Sequence, residues 1–119
     1  MTFIAWLERV VRSGELPDRS DLIITWFVLT TAKPTEPLLN QLNTHHRQVL
    51  VLLDAIADDL VPTSWRRCCV NNINRPMNAL SQLVRCDCNR RALNQLEHEV
   101  RQTLAYYEPA LSNPYKQED

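Results

Sequence analysis

A chain of 119 residues, 45% of them hydrophobic, has the length of one domain with one core. Its net charge of −1, from 13 Lys and Arg against 14 Asp and Glu, argues against a chain given over as a whole to polyanions or to membrane surfaces. Glycine occurs once, at Gly14, where average composition gives about eight; phosphate-cradling loops, dinucleotide-binding turns and serine-hydrolase nucleophile elbows are therefore excluded, because each needs several glycines.

The scarcity of glycine also disfavours a sheet of tight hairpins, so the elements are read as helices joined by proline and asparagine. Thr2 caps a first helix over residues 3–12, with Phe3, Leu7, Val10 and Val11 as its apolar positions and Gly14 just past its end. Charges at Glu8 and Arg9 exclude a signal-peptide core there. Ser20 or Asp18 caps a second helix, "DLIITWFVLTTA", which is rich in strand formers. Its residues 22–31 are open between helix and strand; with no partner strand in view, a buried helix at the centre of the bundle is expected. The same run, Leu22 to Leu29, is too short to cross a bilayer. A soluble, intracellular protein with reduced thiols follows, in a cell or host-cell cytoplasm.

Thr35 caps the third helix, with Pro37 in its first turn. Leu39, Leu42, His46, Val49, Leu53, Ile56 and Leu60 recur at alternating spacings of three and four, the seam of a helix packed lengthwise on its neighbours. Pro62 ends this helix after about 24 residues, roughly 36 Å. Thr63 or Ser64 caps a fourth helix reaching Ile73, and a fifth restarts at "NRP" and runs through Val84. A sixth begins at Asp87 or Asn89, carries Leu93, Leu96, Val100, Leu104 and Tyr107, and closes at Pro109. The expected fold is all-α: a compact bundle of five or six helices around one long central helix. Residues 1–108 form the single helical domain and 109–119 a flexible tail.

Charge is unevenly spread. Residues 1–61 carry five basic and eight acidic groups, whereas 62–107 carry seven basic, all arginine, and three acidic. Arg66, Arg67, Arg75, Arg85, Arg90 and Arg91 lie within 26 residues and are interleaved with Asn71, Asn72, Asn74, Asn78, Gln82 and Asn89. Guanidinium forks bind phosphate bidentately, so these six arginines, of which Arg66, Arg67, Arg90 and Arg91 are read as lying on outer helix faces, are the candidate nucleic-acid contacts, RNA ahead of DNA. No recognition motif for base sequence is present. Leu39, Leu42, His46, Val49 and Leu53 are the candidate interface of a self-associating chain or homodimer, His46 being a polar seam position.

On a helical projection Trp65, Cys68, Cys69 and Ile73 share a face, which points both thiols inward; Cys88 follows Met77, Leu80 and Val84 if that helix runs so far, and Cys86 points away. A zinc site would need Cys68, Cys69, Cys86 and Cys88 to converge, yet Cys-Cys and Cys-x-Cys are not zinc-knuckle spacings. His45 and His46 diverge by about 100°, too far for one ion. "His-Glu-Val-Arg-Gln" at 98–102 lacks the second histidine of a zinc-protease helix. No metal and no cofactor are assigned. Asp54, Asp58 and Asp59 read as a solvated face, their unfavourable place at a helix C-terminus offset by Arg66 or Arg67.

"ELPDR" ahead of a helix, in a short all-helical chain, resembles the silencing suppressors of nodaviruses, helical binders of double-stranded RNA. The resemblance covers five residues and carries over no site. The arginines of residues 66–91 give the first expectation, a non-catalytic nucleic-acid-binding accessory protein, and the near-absent glycine and paired cysteines suit a viral or phage one, such as a suppressor of silencing or host defence. The alternative is a protein-interaction or inhibitor module acting through the long third helix. The second alternative is a zinc-stabilised helical domain.

Overall fold

A computed structural model describes residues 2–112. It is an all-α bundle: α1 (Phe3–Ser13), α2 (Asp21–Thr30), α3 (Leu38–Ile56), α4 (Thr63–Asn72), α5 (Asn74–Leu83) and α6 (Asp87–Ser112). Only Ile73 separates α4 from α5, so the two also count as one bent helix. The long third helix is central, packing on α1, α4, α5 and α6, while α4 and α5 also rest on α6.

α1 begins and ends as its sequence dictates. Thr2 Oγ1 accepts the Ala5 N–H at 3.0 Å, and Gly14 closes the helix at φ 66°, a left-handed backbone that disfavours side chains. A Cβ on Gly14 would also stand 2.9 Å from the Trp65 ring and from Val61 Cγ1, so glycine is required there for space as well.

Residues 22–31 fall within a helix and its cap, not a strand, but α2 is not the centre of the bundle. It packs chiefly on α1, burying Leu22, Ile23 and Trp26 and leaving Val28 63% exposed. The central place belongs to α3 because α3 buries a broader face, comprising His45, Gln48, Val49, Leu52, Leu53, Ala55 and Ile56. Pro37 rather than Thr35 stands at its cap, and the helix has 19 residues rather than 24. Asp58 Oδ1 draws the Leu60 N–H into a turn at 2.9 Å, so the chain leaves the helix early and Leu60 ends 93% exposed, off the seam.

Pro109 does not end α6, which at 26 residues is longer than α3. A proline forfeits its own N–H bond and crowds one carbonyl, a local loss that the burial of Leu111 two residues on offsets. Residues 109–112 are therefore helix rather than tail, and residues 113–119 of the expected tail lie outside the described residues.

The first turn of α4 ties three helix ends together. A helix leaves its last carbonyls without intrahelical partners. Trp65 Nε1 donates to Val11 O at the end of α1 (2.8 Å), Arg66 Nε to Ile56 O at the end of α3 (2.9 Å), and Arg67 Nη1 to Leu111 O at the end of α6 (3.2 Å). Three consecutive side chains thus satisfy the C-termini of three helices, and the two cations suit the negative ends of two dipoles.

Candidate functional site

The six candidate arginines divide. Arg66 is only 8% exposed: besides Ile56 O it lies 3.5 Å from Asp59 Oδ1 and stacks 5.5 Å from the Tyr107 ring centroid. This corrects its expected outer-face placement, because the orphan carbonyl of α3 and the Tyr107 face offer a cation more than water does. Arg67 is half-buried on α6. Arg75 Nε binds Asn72 Oδ1 at 3.0 Å, so one of the expected phosphate-facing asparagines is engaged within the chain. Arg85, though exposed, donates to Gln82 O and Val84 O at the end of α5. Among the described residues no side-chain hydrogen bond or ion pair engages Arg90 or Arg91, both exposed on the first turns of α6.

The candidate interface divides too. Val49 and Leu53 belong to the chain's own core and are not available to a partner, because α3 packs against α1, α4, α5 and α6. Leu39, Leu42 and His46, about one to three turns before Val49, line a surface groove of about 250 Å³ with Asn43, Leu80, Val84, Asn89, Ala92, Leu93 and Leu96. Its walls come from the start of α3, the end of α5 and the start of α6. Leu39, 66% exposed, stands at its edge. Val84, Asn89 and Ala92 in the wall are sequence neighbours of Arg85, Arg90 and Arg91, but none of these arginines lines the groove itself.

His45, not His46, is the buried histidine of α3. Its Nδ1 meets Gln48 Oε1 at 2.8 Å, and Gln48 Nε2 donates to Thr30 Oγ1 at 2.8 Å, linking α3 to the last turn of α2. The signal was a second apolar phase, His45, Val49, Leu52 and Ile56, overlapping the chosen seam. The wall residues Leu80, Val84, Ala92, Leu93 and Leu96 were legible as helix faces, but nothing in the pattern told a groove from a sealed contact.

Of the thiols, Cys69 is fully buried and Cys68 half-buried, whereas Cys86 and Cys88 are exposed. Burial pushes the Cys69 thiol up to about 12, with Cys68 adding to the effect. α5 ends at Leu83, so Cys88 belongs to α6 and does not continue the Met77–Leu80–Val84 line. The four-cysteine convergence that a zinc site requires does not occur, and no three His, Cys, Asp or Glu side chains among the described residues are placed to hold an ion. Of the acidic face, Asp59 takes Arg66 as expected, at 3.5 Å, while Asp58 pairs with Arg12 at 3.0 Å; the Leu60 N–H first, and then Arg12, hold the Asp58 carboxyl below the usual range. Another, shallower trough, about 730 Å³ between α1 and α3, is lined by charged groups including Arg9, Arg12, Arg47, Glu8 and Asp54, with Arg47 ion-paired to Glu8.

No helix among the described residues is long and apolar enough to cross a membrane. No protein-family model matches the chain, and neither does any curated protein or any solved structure. Fold and surface together define a class: a small helical bundle that presents an apolar groove between α3, α5 and α6.

Proposed function

We propose that this protein is a non-catalytic interaction or inhibitor module whose α3–α5–α6 groove captures an amphipathic helix of a protein partner, acidic along its flank. The observation that carries this reading is the groove itself: an unfilled apolar channel whose wall residues alternate in sequence with Arg85, Arg90 and Arg91. Helix-in-groove recognition needs a row of apolar contacts for anchors at i, i+3, i+4 and i+7. Rim cations add selectivity and encounter rate for an acidic partner. A selection from a displayed library of helical peptides, patterned with leucine anchors and random flanks, tests it. Enrichment of Glu- and Asp-flanked helices is expected on the wild-type chain, lost on Leu39→Asp and Ala92→Arg, two exposed positions whose change spares the core. Equal enrichment on the variants would refute the groove.

A second reading, nucleic-acid binding, rests on a different observation. Arg75, Arg90 and Arg91 are exposed, and Asp87 is the only acidic residue between positions 62 and 96. Backbone contacts by such side chains are sequence-tolerant and salt-dependent. Titration with single- and double-stranded RNA and DNA at about 50 mM salt, where these contacts are strong, separates the two. Binding abolished by neutralising Arg75, Arg90 and Arg91 yet untouched by Leu39→Asp favours nucleic acid over the peptide groove.

A further inference from the structure

Cys86 immediately precedes α6, and its carbonyl accepts the Arg90 N–H at 3.0 Å, so a cysteine occupies the cap position where Ser, Thr, Asp or Asn is usual. Its Sγ lies 2.9 Å from the Sγ of Cys88 in the first turn, and both side chains are exposed. A two-residue step around a helical turn spans roughly 5.4 Å between Cα atoms, inside the roughly 4.4–6.8 Å that a disulfide bridges.

From this geometry we infer that Cys86 and Cys88 form a redox-active dithiol that exchanges with low-molecular-weight disulfides, Cys86 attacking and Cys88 resolving. The Cys86 thiolate attacks one sulfur of the small disulfide, forming a mixed disulfide and expelling one thiolate, which takes up the proton that Cys86 gave to solvent. Cys88, once deprotonated, attacks the Cys86 sulfur, closes the Cys86–Cys88 bond and expels the second thiolate, which is protonated in turn. Two protein thiols lose two electrons, one small disulfide gains them, and no other oxidant is needed.

The division of roles follows from the cap. The proton that Cys88 shares lowers the Cys86 thiol most, and the Asn89 and Cys88 N–H groups at the helix start lower it further, with Asp87 opposing. Cys88 is raised, chiefly because its proton is held by Cys86. Cys68 and Cys69 have no such site, one half-buried and the other sealed in the core.

Incubation of the full chain with glutathione disulfide, followed by intact-mass and peptide-mass analysis, tests the inference. The wild type should lose two hydrogens, located to a Cys86–Cys88 bond within one chain. Cys88→Ser should accumulate the glutathione adduct on Cys86. Cys86→Ser, whose hydroxyl still caps α6 and keeps the helix, should form no intrachain bond and give at most a glutathione adduct on Cys88. Each other result overturns the inference: a wild-type chain that stays reduced, one that stops at the glutathione adduct, a bond at Cys68 or Cys69, or a bond between two chains. Because no peptide or nucleic acid is used, this outcome is independent of the groove.

Discussion

The first turn of α4 and the junction of α5 with α6 carry the same residue types, paired arginines beside paired cysteines, and meet opposite fates. Arg66, Arg67 and Cys69 are bound into the interior; Cys86, Cys88, Arg90 and Arg91 face solvent. The difference lies in which helix ends are near. α4 begins where α1, α3 and α6 finish, among carbonyls that need donors, and arginine is a donor with five N–H groups. Arg90 and Arg91 lie at a helix start, among N–H groups and a positive dipole end, where a guanidinium finds no acceptor. The thiols follow the same geometry: Cys69 is one turn past the buried Trp65, while Cys86 and Cys88 precede Leu93, where α6 first meets the core. Chemical type proposes a role, and the neighbouring helix termini decide whether it is internal or external.

The comparison breaks most visibly at α4. Trp65→Ala should cost about 3–5 kcal/mol, the range for a buried large aromatic, and it also strips Val11 O of its donor. Arg66→Ala should cost about 2 kcal/mol, since a charge-assisted bond goes and the Ile56 carbonyl is left buried without a partner. Urea unfolding of both variants measures this. If Arg66→Ala proves neutral, the three-helix clasp is not a determinant of stability and Arg66 returns to the candidate binding residues.

The helices could be read from the sequence because their signals are local. Thr2, Gly14, Pro37 and Pro62 mark ends, and the three-and-four spacing of α3 marks its length to within about a turn and a half. What the sequence concealed is long-range. Leu60 satisfies the α3 period yet lies outside the helix, because Asp58 captures its N–H. Pro109 reads as a stop, yet α6 continues, because Leu111 has a buried place and Arg67 a use for its carbonyl. Of the five expected interface positions, Leu39, Leu42 and His46 reach the groove while Val49 and Leu53 do not; one stripe serves both, and only the placement of the helices packed on α3 divides it. The buried pair His45 and Gln48 was masked for a similar reason: two polar side chains at a core position look solvated until the end of α2 supplies Thr30.

The cysteines sharpen the comparison through pH. Cys69 in the folded chain titrates at about 12, raised from an ordinary thiol value of 9.0. Between those values the unfolded chain has lost this proton and the folded chain keeps it, so stability is fully present below the lower value and falls as pH rises toward the upper one. The slope from this one group is about 1.4 kcal/mol per pH unit at most. Other groups titrate there as well, so the measurement is the stability gap between wild type and Cys69→Ala, which should shrink from pH 9 upward. Alkylation gives the counterpart at neutral pH. Cys86 should label first, and Cys69 only on unfolding.

The smallest effect belongs to the arginines of α6. Arg90→Ala and Arg91→Ala should each change stability by no more than about 0.5 kcal/mol, as exposed substitutions without partners do. The sign should lean toward stabilisation, because a cation removed from the first turns of a helix relieves an unfavourable dipole interaction of about 0.3–1 kcal/mol at low salt, less when screened. Parallel urea melts at low and high salt read this directly, and any gain should fade as salt is added. In binding the same two variants should act the other way, slowing association of an acidic helical peptide with little change in its dissociation, since rim charges steer encounter more than they hold the complex. A loss of stability comparable to that of Arg66→Ala at either position would mean that α6 begins against an acceptor, and the contrast between the two arginine pairs would fall with it.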